Sequence, residues 1–211
     1  MGRYTGPQCK LCRAEKVKLM LKGDRCRSDK CPISKKKGPP GKGMRYRTKK
    51  LSDYGIQLRE KQKLKRMYGM LERQFKLFFT RCERTKGITG ENLLIMLERR
   101  LDSVLYRMRF ASSRKQARQL ILHGHVQVNG RKVNISSFLV KADDEIRIRE
   151  KSKKNTEIKD SLKEFSRSGV MPWLEVDPDG MVGKVTAIPR RNDISDLSDV
   201  KVQLIVELYS K

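Results

Sequence analysis

The sequence predicts an α+β protein: a mostly helical part with an N-terminal four-cysteine knob, joined to a small module of two short helices on an antiparallel sheet. Three observations carry that expectation. Four cysteines stand as C-x2-C-x13-C-x4-C at Cys9, Cys12, Cys26 and Cys31. Apolar residues recur at helical spacing from Leu51 to Arg84 and again from Glu91 to Phe110. Around Asn129-Gly130 the period changes to two, in HVQVNGRKV.

Charge narrows the partners. The 211 residues hold 50 Lys and Arg against 24 acids, a net +26, and such self-repulsion is offset best by a polyanion, so nucleic acid is the expected partner. The excess is lopsided, with 27 bases and 7 acids in residues 1–90, which marks the N-terminal part as the main phosphate-facing surface. The longest apolar run, LLIML at Leu93–Leu97, is far too short for a membrane span, and MGRYTGPQCK lacks a secretory apolar stretch. No membrane partner and no export are expected, and a reducing compartment makes disulfides a poor account of the cysteines.

Two close cysteine pairs separated by a loop let four thiolates converge on one metal in a closed, non-catalytic site. The ligands would be Cys9, Cys12, Cys26 and Cys31, holding one structural metal; zinc and an iron–sulfur cluster both use this donor set. Lys10, Arg13, Arg25, Arg27 and Lys30 would balance the negative cluster. A segment with so few large apolar residues cannot build a core, so ligation would supply its folding free energy. Cys82, alone in a helical segment, reads as a small core residue.

Residues 32–50, PISKKKGPPGKGMRYRTKK, form a linker by composition. Arg45, Tyr46 and Arg47 there interleave ring and guanidinium groups as single-stranded RNA contacts do. From Leu51 one helix is expected, capped by Ser52 or Asp53, with Leu64, Met67, Tyr68, Leu71, Phe75 and Phe78 on one arc. Arg59, Lys63, Lys65, Arg66, Arg73 and Lys76 occupy the other side, interrupted by Glu60, Glu72 and Glu83, and that face is expected to bind phosphates.

KGITG breaks the pattern, and the next helix buries Leu93, Leu97, Leu101, Val104 and Met108. ASSRKQARQLILHG then reads as a short helix capped by Ser112 or Ser113 and stopped by Gly124. Arg114, Lys115 and Arg118 in its first turns oppose the helix dipole, a conflict that an external anion would resolve. Asn129-Gly130 signals a type I′ hairpin that presents Arg131 and Lys132 beside the basic helix. Further strands are expected at Ser137–Val140 and Glu145–Arg149, a helix over 157–168, a hairpin in WLEVDPDGMVGKVTAI, and an amphipathic end, LSDVKVQLIVELYSK.

The runs LSDYGIQLREKQKLKRMYGMLERQF and GENLLIMLERRLDSVLYRMRFASSRKQARQLILHGHVQVNGRKVNI, with the ending LIVELYSK, closely resemble the bacterial-type small-subunit ribosomal protein S-four family. The resemblance runs essentially end to end, and the cysteine segment is similar to the metal-binding members of that family. It implies a structural constituent of the small ribosomal subunit that binds the 5′ domain of small-subunit rRNA early in assembly. It further implies contact with ribosomal protein S-five and other small-subunit proteins, with a part in decoding accuracy. Location in the cytoplasm follows, an organellar ribosome being left open.

On that resemblance, residues 1–45 are a metal-binding basic extension and linker, 46–98 a helical rRNA-binding domain completed by 165–211, and 99–164 the small α/β RNA-binding module. In that module the RNA surface maps to Arg114, Lys115, Arg118, His123 and Asn129. Arg45, Arg47, Lys49 and Lys50 match a basic segment that lines the channel through which messenger RNA enters the subunit. Two alternatives remain: an RNA-modifying enzyme, since the module recurs on catalytic domains, and a zinc-dependent DNA-binding regulator. Against an enzyme, the histidines are His123 and His125 alone and no catalytic motif occurs. Against a DNA reader, the bases are spread over several elements instead of one recognition helix.

Overall fold

The protein is represented by a computed structural model that describes residues 2, 4–41, 50–163, 169–194, 197 and 199–210. The chain divides into two compact units, Met1–Leu93 with Asp196–Lys211, and Leu94–Ser195.

In the first unit, α1 (Gln8–Glu15) and α2 (Asp24–Arg27) carry the first three cysteines of the knob. Helix α3 (Asp53–Met67) starts where the Ser52 side chain accepts the Gly55 amide, the cap expected from the sequence. The single helix expected over Leu51–Arg84 is two. Gly69 takes φ 59°, and the Met70 amide turns back to the Lys65 carbonyl at 3.0 Å, a closure that stops α3. The chain restarts as α4 (Glu72–Glu83), and Leu71, expected on the buried arc, precedes it exposed. Leu64, Met67, Tyr68, Phe75, Phe78, Phe79 and Cys82 are buried.

The C-terminal helix belongs to the same unit. Labelled α9 here, Val202–Tyr209, it packs along α3 and buries Val202 and Ile205. Tyr209 stacks on Phe79 with ring centroids 4.4 Å apart, while its hydroxyl donates to Glu72 at 3.1 Å. An aromatic side chain with a polar tip suits this position, because one end is apolar and the other reaches a carboxylate.

The division between units falls within α5 (Thr89–Glu98). Arg100 is extended (φ −65°, ψ 136°), so the helical pattern of 91–110 also splits, giving α6 (Leu101–Arg107). Helix α7 (Arg114–Leu122) follows, capped by Ser113, whose side chain accepts the Gln116 amide. Strands β1 (Val126–Val128) and β2 (Arg131–Lys132) form the expected hairpin, with Asn129 at φ 49° and Gly130 at φ 75° as a type I′ turn requires.

The sheet continues through β3 (Glu145–Ile148), β4 (Leu174–Asp177) and β5 (Val182–Val185) in the antiparallel order β2-β1-β3-β5-β4. Residues 174–185, grouped from the sequence with the helical part, thus pair with β3, their inner residues adding to this unit's core. The strand expected at Ser137–Val140 is a single bridge from Leu139 to Arg100. Two hydrogen bonds make that bridge: the Phe138 carbonyl accepts the Leu101 amide, and the Val140 amide donates to the Arg99 carbonyl. Between β3 and β4, α8 (Thr156–Lys163) buries Ile158 and Leu162 on a core that includes Leu105, Phe110, Ile121, Val126, Ile146 and Trp173.

Candidate nucleic-acid interface

In the second unit the basic helix lies over two buried acids. Glu98, fully buried, accepts from both Nε and Nη2 of Arg107 at 2.9 Å and from Nη2 of Arg114 at 3.2 Å. Arg114 also donates to Ser103 Oγ at 3.2 Å and lies 4.7 Å from the Tyr106 ring centre. Asp102 takes Arg100 at 3.0 and 2.7 Å and Arg118 at 2.8 and 3.3 Å. Charges taken out of water must be paired, and here each carboxylate holds two guanidinium groups.

The anion that the first turn of α7 demands is therefore supplied from within. Arg114 and Arg118 are engaged below the surface, whereas Lys115 is exposed. Asn129 is likewise occupied: its Nδ2 donates to Asp144 at 2.8 Å and its Oδ1 accepts the Glu145 amide at 2.9 Å, which pins the hairpin to β3.

Lys115, Gln119 and His123 recur at helical spacing on the exposed side of α7, and Arg131 and Lys132 are exposed on the edge strand β2. The Lys132 stem lies where a Cβ on Gly124 would stand, which brings it beside the end of α7. This outward face of helix and hairpin is cationic. His125 faces inward: its Nδ1 is 2.8 Å from Ser152 Oγ, and burial, then His123 and Arg149, hold its pKa below the usual histidine range.

In the first unit the cationic face of α3 is largely neutralised by carboxylates and a carbonyl. Arg59 reaches Glu15 at 3.3 Å and Arg66 pairs with the same oxygen. Lys61 and Lys65 hold Glu72 at 2.5 and 2.7 Å, and Lys63 is buried, donating to the Asp199 carbonyl at 2.9 Å. Burial lifts the Glu15 carboxyl above its usual range in spite of the two guanidinium groups. Burial also raises Glu72, but hydrogen bonds and charge from Lys61 and Lys65 outweigh it and bring its pKa to about 2. Arg73 is exposed, as is Lys50, whereas Arg45, Arg47 and Lys49 lie outside the described residues.

All five cysteines are free thiols; Cys12, Cys26 and Cys31 are buried and Cys9 is half-buried. The Lys22 amide points at Cys26 Sγ, 3.3 Å away. Burial raises Cys12, and Cys26, Cys9 and Cys31 push it the same way, as neighbouring thiolates would. Burial raises Cys31 too, but amides of Ser34 and Ile33 overcome it and leave that thiol below its usual range. Four thiols with sulfur-directed amides suit a thiophilic metal in donor chemistry. Among the described residues, however, no three His, Cys, Asp or Glu side chains are arranged to hold one.

Two buried acids held by arginines, with Lys115, Arg131 and Lys132 exposed on helix and hairpin, suit a nucleic-acid-binding scaffold. Known families make this specific. Residues 3–98 match the Ribosomal protein S4/S9 N-terminal domain, and residues 99–146 match the S4 domain. Curated proteins named small ribosomal subunit protein uS4 are similar over 100% of both chains. They include those of Thermoanaerobacter pseudethanolicus at 58% identity, Geotalea uraniireducens at 55% and Trichlorobacter lovleyi at 54%. The chain belongs to the uS4 family of small ribosomal subunit proteins. No helix among the described residues is long and apolar enough to cross a membrane.

Proposed function

We propose that this chain, a structural constituent of the small ribosomal subunit, works by clamping the 5′ domain of small-subunit rRNA during early assembly. One observation carries the reading: the buried acids Glu98 and Asp102 are neutralised by Arg100, Arg107, Arg114 and Arg118 while Lys115, Arg131 and Lys132 face solvent. Helical RNA is recognised chiefly through its phosphates and shape, which rigidly mounted cations suit. The internal pairs hold α7 against α6, so the outward cations are fixed before the RNA arrives.

Lys50 and the basic segment before it suit the messenger RNA channel, and contact with ribosomal protein S-five suits a place in decoding. Cytoplasmic ribosomes are the compartment this reading assigns. In the knob, Cys9, Cys12, Cys26 and Cys31 would hold one structural metal, zinc or an iron–sulfur cluster, which would supply folding free energy that few apolar residues provide.

Filter binding to the 5′-domain rRNA fragment tests the central reading against a duplex DNA of equal length. The RNA should bind more tightly by an order of magnitude or more, and parity would overturn it. The variant Lys115→Gln with Lys132→Gln should weaken RNA binding and leave the melting curve in place.

A further inference from the structure

We propose that Asn129 is a site of spontaneous modification, an Asn-Gly amide open to deamidation that the fold holds shut through Asp144 and the Glu145 amide. Asn129-Gly130 is the one Asn-Gly pair in the sequence. Both residues are exposed at the tip of the β1–β2 hairpin. Gly130 carries no side chain to screen its nitrogen, and nothing lies within 4 Å of where a Cβ would stand. Access by water and base is therefore not the barrier.

The reaction needs only the chain and water. The Gly130 backbone nitrogen attacks Asn129 Cγ, forming a carbon–nitrogen bond, and the bond from Cγ to Nδ2 breaks. Nδ2 leaves as ammonia, taking up the proton that the Gly130 nitrogen gives. Water then adds to either carbonyl of the five-membered imide and opens it to aspartate or isoaspartate. Nothing is oxidised or reduced.

Attack requires the side-chain amide to swing toward the Gly130 nitrogen, and both of its ends are tied to β3 and the residue before it. Nδ2 donates to Asp144 Oδ1 at 2.8 Å, and Oδ1 accepts the Glu145 amide at 2.9 Å. Asp144 is itself anchored: its Oδ2 takes the Lys141 amide at 2.7 Å, and its carbonyl takes the Val185 amide at 3.1 Å. The Asn129 amide donates to the Glu145 carbonyl at 2.9 Å, so the backbone is held to the same strand. Unfolding releases all of these bonds together. The product would undo the turn, because the pairs Gln127 with Lys132 and Val128 with Arg131 depend on a two-residue loop. Isoaspartate lengthens that loop by a backbone carbon, and aspartate sets a carboxylate oxygen against Asp144 where Nδ2 now donates, a like-charge contact. Chains held unfolded before assembly therefore collect this damage at the hairpin that carries Arg131 and Lys132; folded chains are spared.

The test is full-length protein incubated in mildly alkaline buffer, folded and in guanidinium chloride, with peptide mapping by mass spectrometry and an isoaspartate assay on the peptide that holds Asn129. The unfolded wild type should convert faster than the folded wild type by an order of magnitude or more, each event adding one mass unit. Folded Asp144→Ala should convert at a rate between the two. Equal rates in folded and unfolded wild type would overturn the lock, and no conversion at Asn129 in either state would overturn the site. The comparison of the two wild-type states needs no variant. Circular dichroism shows whether Asp144→Ala is folded, and a folded Asp144→Ala as slow as folded wild type would overturn the part given to Asp144.

Discussion

Glu98→Gln is the sharpest probe of the buried network. The substitution keeps size and removes the charge that two guanidinium groups share. It also places an amide donor against Arg107, which donates twice at 2.9 Å, and against Arg114 at 3.2 Å. With Glu98 0% and Arg107 4% exposed, water cannot take over the lost contacts. Breaking a buried pair by removing one partner costs about 3–5 kcal/mol. A domain holds about 5–15 kcal/mol in all, so this is a third or more of a typical value. For a unit near 100 residues, each kcal/mol moves the melting temperature by about 4–8 °C, giving a fall of about 12 °C or more.

Thermal unfolding followed by circular dichroism reads the effect, and urea titration at constant temperature checks it. Arg107→Ala and Glu98→Ala should be strongly non-additive in a double-mutant cycle. A Glu98→Gln protein that melts within a degree or two of wild type, while losing RNA affinity, would refute the assignment of Arg107 and Arg114 to the interior.

Three further outcomes follow from particular contacts. Cys26→Ser should loosen residues before 50 and leave the second unit folded; limited proteolysis should cut there first, and uniform cleavage would contradict the division. Tyr209→Phe keeps the stack on Phe79 and loses the bond to Glu72, which should cost about 1 kcal/mol, whereas Tyr209→Ala should cost about 3 kcal/mol or more. The pKa of Glu72 is lowered in the folded chain to about 2, so its contribution is complete above the unfolded value of 4.5 and fades as pH falls toward about 2. The stability gap between wild type and Glu72→Gln, measured by urea titration, should close over that window; with the carboxylate 46% exposed, screening by water keeps the gap small.

Signals confined to a few neighbouring residues were readable from the chain. Ser52 and Ser113 cap the helices that begin after them, and Asn129-Gly130 turns the hairpin, because each acts within a few residues of itself. The breaks at Gly69 and Arg100 escape a periodicity argument, since Leu64 and Phe75 are buried on either side of the first and Leu97 and Leu101 on either side of the second. Charge posed the harder problem. The cationic arc of α3 reads as free because its neutralising acids are Glu15 and Glu72, outside that helix. Arg118 finds Asp102 from another helix in the same way.

A usable signal was nonetheless present. Glu98 and Asp102 interrupt the apolar run LLIMLERRLDSVLY at positions whose neighbours are core residues, and an acid there must bring its own cation.

The central claim is that rigidly mounted cations neutralise a folded RNA, and its most direct test is the salt dependence of binding to the 5′-domain rRNA fragment. If about 6 to 10 phosphates are contacted, affinity should fall by a factor on the order of 10³ to 10⁵ between 50 and 200 mM salt, a scale set by duplex DNA. Affinity that hardly changes over that range would contradict the account.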